Sequence, residues 1–158
     1  MLGDMQRDSA GLEVLSRDDS LCLLGSVPVG RVVFTDRALP AVQPVNFVVH
    51  DGSVVFRTGA GSKLAAATRE AIVAFQADRF DRDSETGWSV SVVGPARVVT
   101  DSAEIEELRK LPLRPWAPTK RDHFVRIELS HVTGRRLSRN GDLAHWDAPF
   151  EHGPASIA

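Results

Sequence analysis

Apolar positions along the chain fall in short runs divided by turn residues, not in long helical stripes. The first run, Gly30-Arg31-Val32-Val33-Phe34-Thr35, stops at Asp36-Arg37. The second covers 41–49, where Val42, Pro44 and Asn46 alternate with Gln43, Val45 and Phe47. A period of two places successive side chains on opposite faces of a strand. His50-Asp51-Gly52-Ser53 follows, and Asp-Gly between two apolar runs predicts a tight hairpin with Val54-Val55-Phe56-Arg57 as the return strand. Residues 71–77 form a further run, and the charged stretch 78–87 reads as a solvated loop. The longest run is 88–99. Gly94-Pro95 in its middle predicts a bend at a barrel corner, because proline cannot donate to a regular central ladder. Runs at 123–129 and 132–137 complete the set.

Helical signals are fewer. Ser16-Arg17-Asp18-Asp19 puts a capping oxygen and acids ahead of Leu21, Leu23 and Leu24, which predicts a helix over about 17–26. Ser62-Lys63-Leu64-Ala65-Ala66-Ala67 predicts a short helix in the strongest helix former. Asp101-Ser102-Ala103-Glu104 opens another, with Ile105 and Leu108 on one face and Pro112 as its stop. Nineteen valines, mostly in the short runs, and no regular β-α alternation predict a small, mainly β barrel with short flanking helices. The pattern predicts one domain over 12–138, a flexible N-terminus over 1–11 and a C-terminal tail over 139–158.

Composition narrows the function. The 158 residues suffice for one core without a disulfide or metal staple. A net charge of −2 lacks the basic excess that a nucleic-acid surface needs. The longest apolar stretch, from Leu21 to Gly30, is far short of about 20 residues for a membrane span. With a single cysteine and an acid-bearing start, the expectation is a cytoplasmic protein with neither nucleic-acid nor membrane partners. Cys22, between Leu21 and Leu23, is expected to be a buried, inert thiol. The histidines at 50, 123, 131, 145 and 152 show no ligand spacing, so no metal is assigned, including at His145, Asp147, Glu151 and His152.

The richest local chemistry is at 54–64. A strand enters a glycine-containing loop that opens a helix at Ser62. Arg57, Lys63 and the hydroxyls of Thr58 and Ser62 are expected to converge there with free helix N–H groups, a set suited to a terminal phosphate. The order Gly-Ser-Lys excludes a Walker A loop. Arg114-Pro115-Trp116 offers a cation and a large aromatic that could cap a cofactor or fill a dimer interface.

Four segments together resemble the FMN-binding split-barrel family that includes pyridoxamine 5′-phosphate oxidases and Nim-type nitroimidazole reductases. They are Ser26-Val27-Pro28-Val29-Gly30-Arg31-Val32, Pro44-Val45-Asn46-Phe47, Phe56-Arg57-Thr58 through Gly61-Ser62-Lys63, and 88–99 with its Val-x-Gly-x-Ala motif. The resemblance covers about 12–138 and implies a six-stranded antiparallel split β-barrel acting as a homodimer. It implies that Arg57, Thr58, Ser62 and Lys63 hold the FMN phosphate, and that Pro44, Val45 and Asn46 meet the flavin ring edge. It also implies that Trp88 and Ser89 reach the flavin or its ribityl chain, often across the dimer interface. The arginine- and histidine-containing signature used for pyridoxal phosphate does not follow His123, and Arg57 stands where Nim-type proteins place a histidine. The implied function is therefore an FMN-dependent oxidoreductase of a small molecule, with no catalytic side chain assigned. Two alternatives stand beside it: reduction with the deazaflavin F420, and a non-catalytic flavin or haem carrier or sensor.

Overall fold

The structure, a computed structural model, describes residues 6–59, 61–114 and 122–138. In chain order these form β1 (Glu13–Leu15), α1 (Arg17–Leu24), β2 (Val29–Asp36), β3 (Leu39–His50), β4 (Ser53–Gly59) and α2 (Lys63–Ala67). After them come β5 (Ala71–Asp81), β6 (Thr86–Val98), α3 (Ser102–Arg109), β7 (Asp122–Glu128) and β8 (His131–Leu137). Six strands close into an antiparallel barrel in the order β2-β3-β4-β7-β6-β5, with β5 pairing back onto β2. This is the six-stranded barrel expected from the sequence. β8 and β1 extend the wall beyond β6.

The alternation in the sequence becomes an inside and an outside. Val32 and Phe34 of β2, Val45 and Phe47 of β3, and Val54 and Phe56 of β4 point into the barrel, where they meet Phe75, Val90, Val92, Val125 and Ile127. Phe47 and Phe75 meet edge to face with centroids 4.7 Å apart, a geometry that adds roughly 0.5–1.5 kcal/mol to the area they bury. A smaller apolar cluster lies outside the barrel. There Leu108 of α3 and Leu113 cover Val55, Val99 and Phe124.

Gly94 explains the predicted corner. β6 pairs with β8 up to Val93 and with β7 from Ala96, so the strand changes partner across Gly94-Pro95. A Cβ on Gly94 would stand 2.0 Å from the Glu128 carbonyl oxygen, so only glycine admits this approach. The prolines of β3 have a similar logic. Residues 39–46 pair with β2 alone, and pairing with β4 begins at Phe47. The open side of β3 tolerates Pro40 and Pro44, which have no N–H to donate.

Two expectations are corrected. Cys22 is exposed, not buried. On α1 the buried positions are Ser20 and Leu24, one turn apart, and Cys22 falls between them on the outer side. The charged stretch 78–87 is mostly strand, since β5 runs to Asp81 and β6 starts at Thr86. Only the turn between them is loop. The Asp81 carboxylate accepts from the Ser84 backbone N–H at 2.8 Å and from its hydroxyl at 3.0 Å. Those bonds hold its pKa below the ordinary aspartate range. A solvated two-stranded ribbon needs no apolar face, which is why polarity misled the reading. The predicted tail over 139–158 lies outside the described residues.

Candidate functional site

Along β4, Phe56 points into the barrel and Arg57 points out. Arg57 stands opposite Phe124 of β7, with its guanidinium carbon 5.2 Å from the ring centroid. That is a cation–π arrangement. The β3–β4 register pairs Phe47 with Phe56, which brings the preceding residue, Asn46, into line with Arg57 on the outer wall. An outward row Asn46–Arg57–Phe124 therefore crosses three strands. Beside it lies a cleft of about 220 Å³ lined by Pro28, Asn46, Phe47, Pro112, Leu113 and Arg114. A second hollow of about 250 Å³ shares Phe47 and Pro112 with it and continues along Val48 and Val49. The cleft offers apolar walls, one amide and the exposed cation of Arg114, with half-buried Arg57 in the adjoining row. Such a surface suits a planar, partly apolar ligand with polar edges and negative charge.

The expected phosphate-loop residues divide between two faces. Thr58 follows the inward alternation and is buried, and its Oγ1 lies 2.9 Å from the Ser62 hydroxyl. Ser62 also caps α2, accepting from the Ala65 N–H at 3.0 Å. Lys63 is exposed, with Nζ 3.6 Å from the Asp36 carboxylate of β2. The structure thus brings Thr58 and Ser62 together, leaves Lys63 at the rim, and places Arg57 with Asn46 on the opposite face of β4.

The remaining expected residues lie on β3 and β6. Pro44 is exposed on β3, and Val45 is buried in the barrel. Trp88 belongs to the interior cluster, whereas Ser89 faces outward opposite Asp78. Trp88 and Ser89 thus lie on opposite faces of β6.

α3, which precedes the 112–114 side of the cleft, meets the barrel strands through charged groups. Glu104 of α3 accepts both guanidinium arms of Arg97, at 2.7 and 3.1 Å. Its Oε1 also lies 2.6 Å from Nε of the buried Arg126. The Arg97 hydrogen bonds lead in holding the Glu104 carboxyl below the ordinary glutamate range, against a smaller opposing effect of burial. Arg126 further donates to the His50 carbonyl at 3.3 Å.

Phe124 and Leu113 carry no signal in the sequence, and Pro28 stands there only as part of a resemblance segment with no role of its own. They join the site only through register and packing, which no local motif encodes. His123 stands opposite Thr58 on β7, half-buried. Among the described residues no cluster of histidine, cysteine or carboxylate groups could hold a metal ion, and no helix is long and apolar enough to cross a membrane. His145, Asp147, Glu151, His152 and Trp116 lie outside the described residues.

Comparison with known proteins places these features in context. Residues 16–136 match the model of the family described as pyridoxamine 5′-phosphate oxidase. An uncharacterized protein of Mycobacterium tuberculosis is 44% identical over 128 residues, covering 78% of this chain and 84% of the relative. The structure of an FAD-binding protein from Mycobacterium smegmatis superposes with a TM-score of 0.68 at 40% identity, covering 79% of this chain and 97% of that one. A protein of unknown function from Corynebacterium diphtheriae superposes with a TM-score of 0.68 at 37% identity, covering 80% and 98%.

Proposed function

Because the chain belongs to the pyridoxamine 5′-phosphate oxidase family, we propose that it is a flavoprotein that binds FMN in the outer-wall cleft and acts as an oxidoreductase on a small molecule. The observation that carries this reading is the outward row Asn46–Arg57–Phe124 beside the cleft that Arg114 edges. When bound, the flavin supplies the electron transfer, and the protein supplies binding and electrostatics.

Each side chain has a task in this reading. The Asn46 amide can both donate to and accept from a polar ring edge. Arg57, steadied on the Phe124 ring, presents a permanent cation to an anionic group. Pro28, Phe47, Pro112 and Leu113 form the apolar wall that excludes water. Thr58 and Ser62 offer hydroxyls, and Lys63 a rim cation, on the α2 side.

A second reading, FAD in the same cleft, is favoured by the 40% identical FAD-binding protein of M. smegmatis. FMN and FAD share the ring and the first phosphate, so the same residues serve both.

A homodimer is part of the proposal. The cleft of about 220 Å³ falls below the roughly 300–1,000 Å³ of enclosed small-molecule sites. The outer wall nearby carries an apolar row in which Val42 faces Val33, Val33 faces Ala74, and Ala74 faces Val93. Val42 is 61% exposed and Ile72 69% exposed in a single chain, an arrangement that suits a second copy. Ser89 faces outward on the same wall, on the side such a partner would cover.

Titration of the purified protein with FMN, FAD and F420, followed by flavin absorbance and fluorescence, tests the assignment. Retention of FMN or FAD is the expected result. Retention of F420 alone, or of none of the three, overturns it.

A further inference from the structure

The wall of the cleft opposite Asn46 is not part of the barrel. It consists of Pro112, Leu113 and Arg114, the short segment that follows α3. That segment is wound tightly onto the helix end, with Leu111 N–H donating to the Leu108 carbonyl at 3.2 Å and Leu113 N–H to the Leu111 carbonyl at 2.7 Å. Leu113 is also buried against Val55, Val99 and Phe124, so the segment is held both by its own packing and by its tight join to α3.

α3 itself has few means of staying on the barrel. A helix of two turns has little intrinsic stability, and its only buried side chain is Leu108. Half-buried Ile105 packs beside it, and the polar hold is Glu104, which reaches down to Arg97 of β6 and to the buried Arg126 of β7. These two cations come from adjacent barrel strands that face each other in register. Asp101, the cap of α3, is the other acid at this end of the helix.

From this arrangement we infer that Glu104 is a positioning residue for the cleft. Its carboxylate, shared between Arg97 and Arg126, latches α3 to the barrel and so holds Pro112, Leu113 and Arg114 against Asn46. The role in binding rests on the reading of the cleft as the flavin site, whereas the latch itself does not.

The experiment compares the full-length chain with Glu104→Gln and with Val90→Ala, a core truncation inside the barrel that lowers the melting temperature without touching the cleft. If Glu104→Gln does not fold, Arg97→Gln, which removes only the more exposed arm, takes its place. Amide exchange is read at Lys110, Leu111 and Leu113, and FMN and FAD are titrated with the visible spectrum of the bound flavin recorded.

Glu104→Gln is expected to speed exchange at these three amides. It should also raise the flavin Kd on the order of tenfold and move the bound spectrum toward that of free flavin. Val90→Ala should leave all three readouts near those of the parent. Unchanged exchange in Glu104→Gln overturns the latch. A Kd and spectral change no larger than that of Val90→Ala overturns the role in positioning. Should the parent retain neither flavin, the cofactor reading falls, and the exchange comparison still decides for or against the latch.

Discussion

Arg57 and Lys63 sit six positions apart in the sequence, and the fold gives them different surroundings. Arg57 is half-buried on the outer wall, stacked on Phe124 and in line with Asn46. Lys63 is 74% exposed at its side chain and faces the Asp36 carboxylate. An exposed ion pair contributes little, whereas a charged hydrogen bond in a partly desolvated cleft contributes more. Arg57→Ala is therefore expected to weaken FMN binding by roughly 1.5–3 kcal/mol, and Lys63→Ala by clearly less, as read by fluorescence titration. The reverse order would move the phosphate to the α2 side of β4, where Thr58 and Ser62 meet.

At the scale of elements, β6 joins the two halves of the wall. It serves β5 from Thr86 to Ala96, β8 before Gly94 and β7 after it. The change of partner depends on a backbone contact that a side chain at Gly94 would obstruct, with the Glu128 carbonyl only 2.0 Å from a Cβ. Gly94→Ala is expected to cost about 1–3 kcal/mol, seen as a lower melting temperature. A melting temperature equal to that of the parent would show that the β6–β7 closure has room to spare. The same element illustrates how far the pattern could be read. Gly94-Pro95 signalled a bend, but which strands met there was decided by pairings some thirty residues downstream.

For the whole molecule, two properties depend on surfaces far apart in sequence. Val42, Val33, Ala74 and Val93 come from four different strands and form one apolar row on the outer wall. Val42→Asp would place a charge at an exposed position of the proposed dimer face. Sedimentation analysis is expected to show the parent as a dimer and the variant shifted toward monomer. A variant that remains fully dimeric would locate the interface elsewhere.

The second property is acid sensitivity. Glu104 titrates below its ordinary range in the folded chain because Arg97 hydrogen-bonds its carboxylate. A lowered folded pKa means that the stabilisation is complete above the unfolded glutamate value of about 4.3 and fades as pH falls through the folded one. The gap in melting temperature between the parent and Glu104→Gln should therefore be steady from pH 7 to 5 and narrow below about pH 4. A gap that widens on acidification would contradict this sign.

The sequence by itself determined the barrel, its hairpin at Asp51-Gly52, its capped helices and the family. These are local matters of period, turn chemistry and motif, encoded within a few residues of each other. It also brought Asn46, Arg57, Thr58 and Arg114 to notice as chemistry-bearing residues. It did not reveal that Arg57 and Thr58 face opposite sides of β4, that Trp88 packs inside while Ser89 faces out, or that Cys22 lies on the open side of α1. Only the tertiary structure decided these points. A period of two says that neighbours point apart but not which of them points inward, and that choice is made by the register of strands distant in sequence. The cleft follows the same rule: its two walls, Asn46 and Arg114, come together through the packing of Leu108 and Leu113 and the ion pairs of Glu104, which no local pattern spells out.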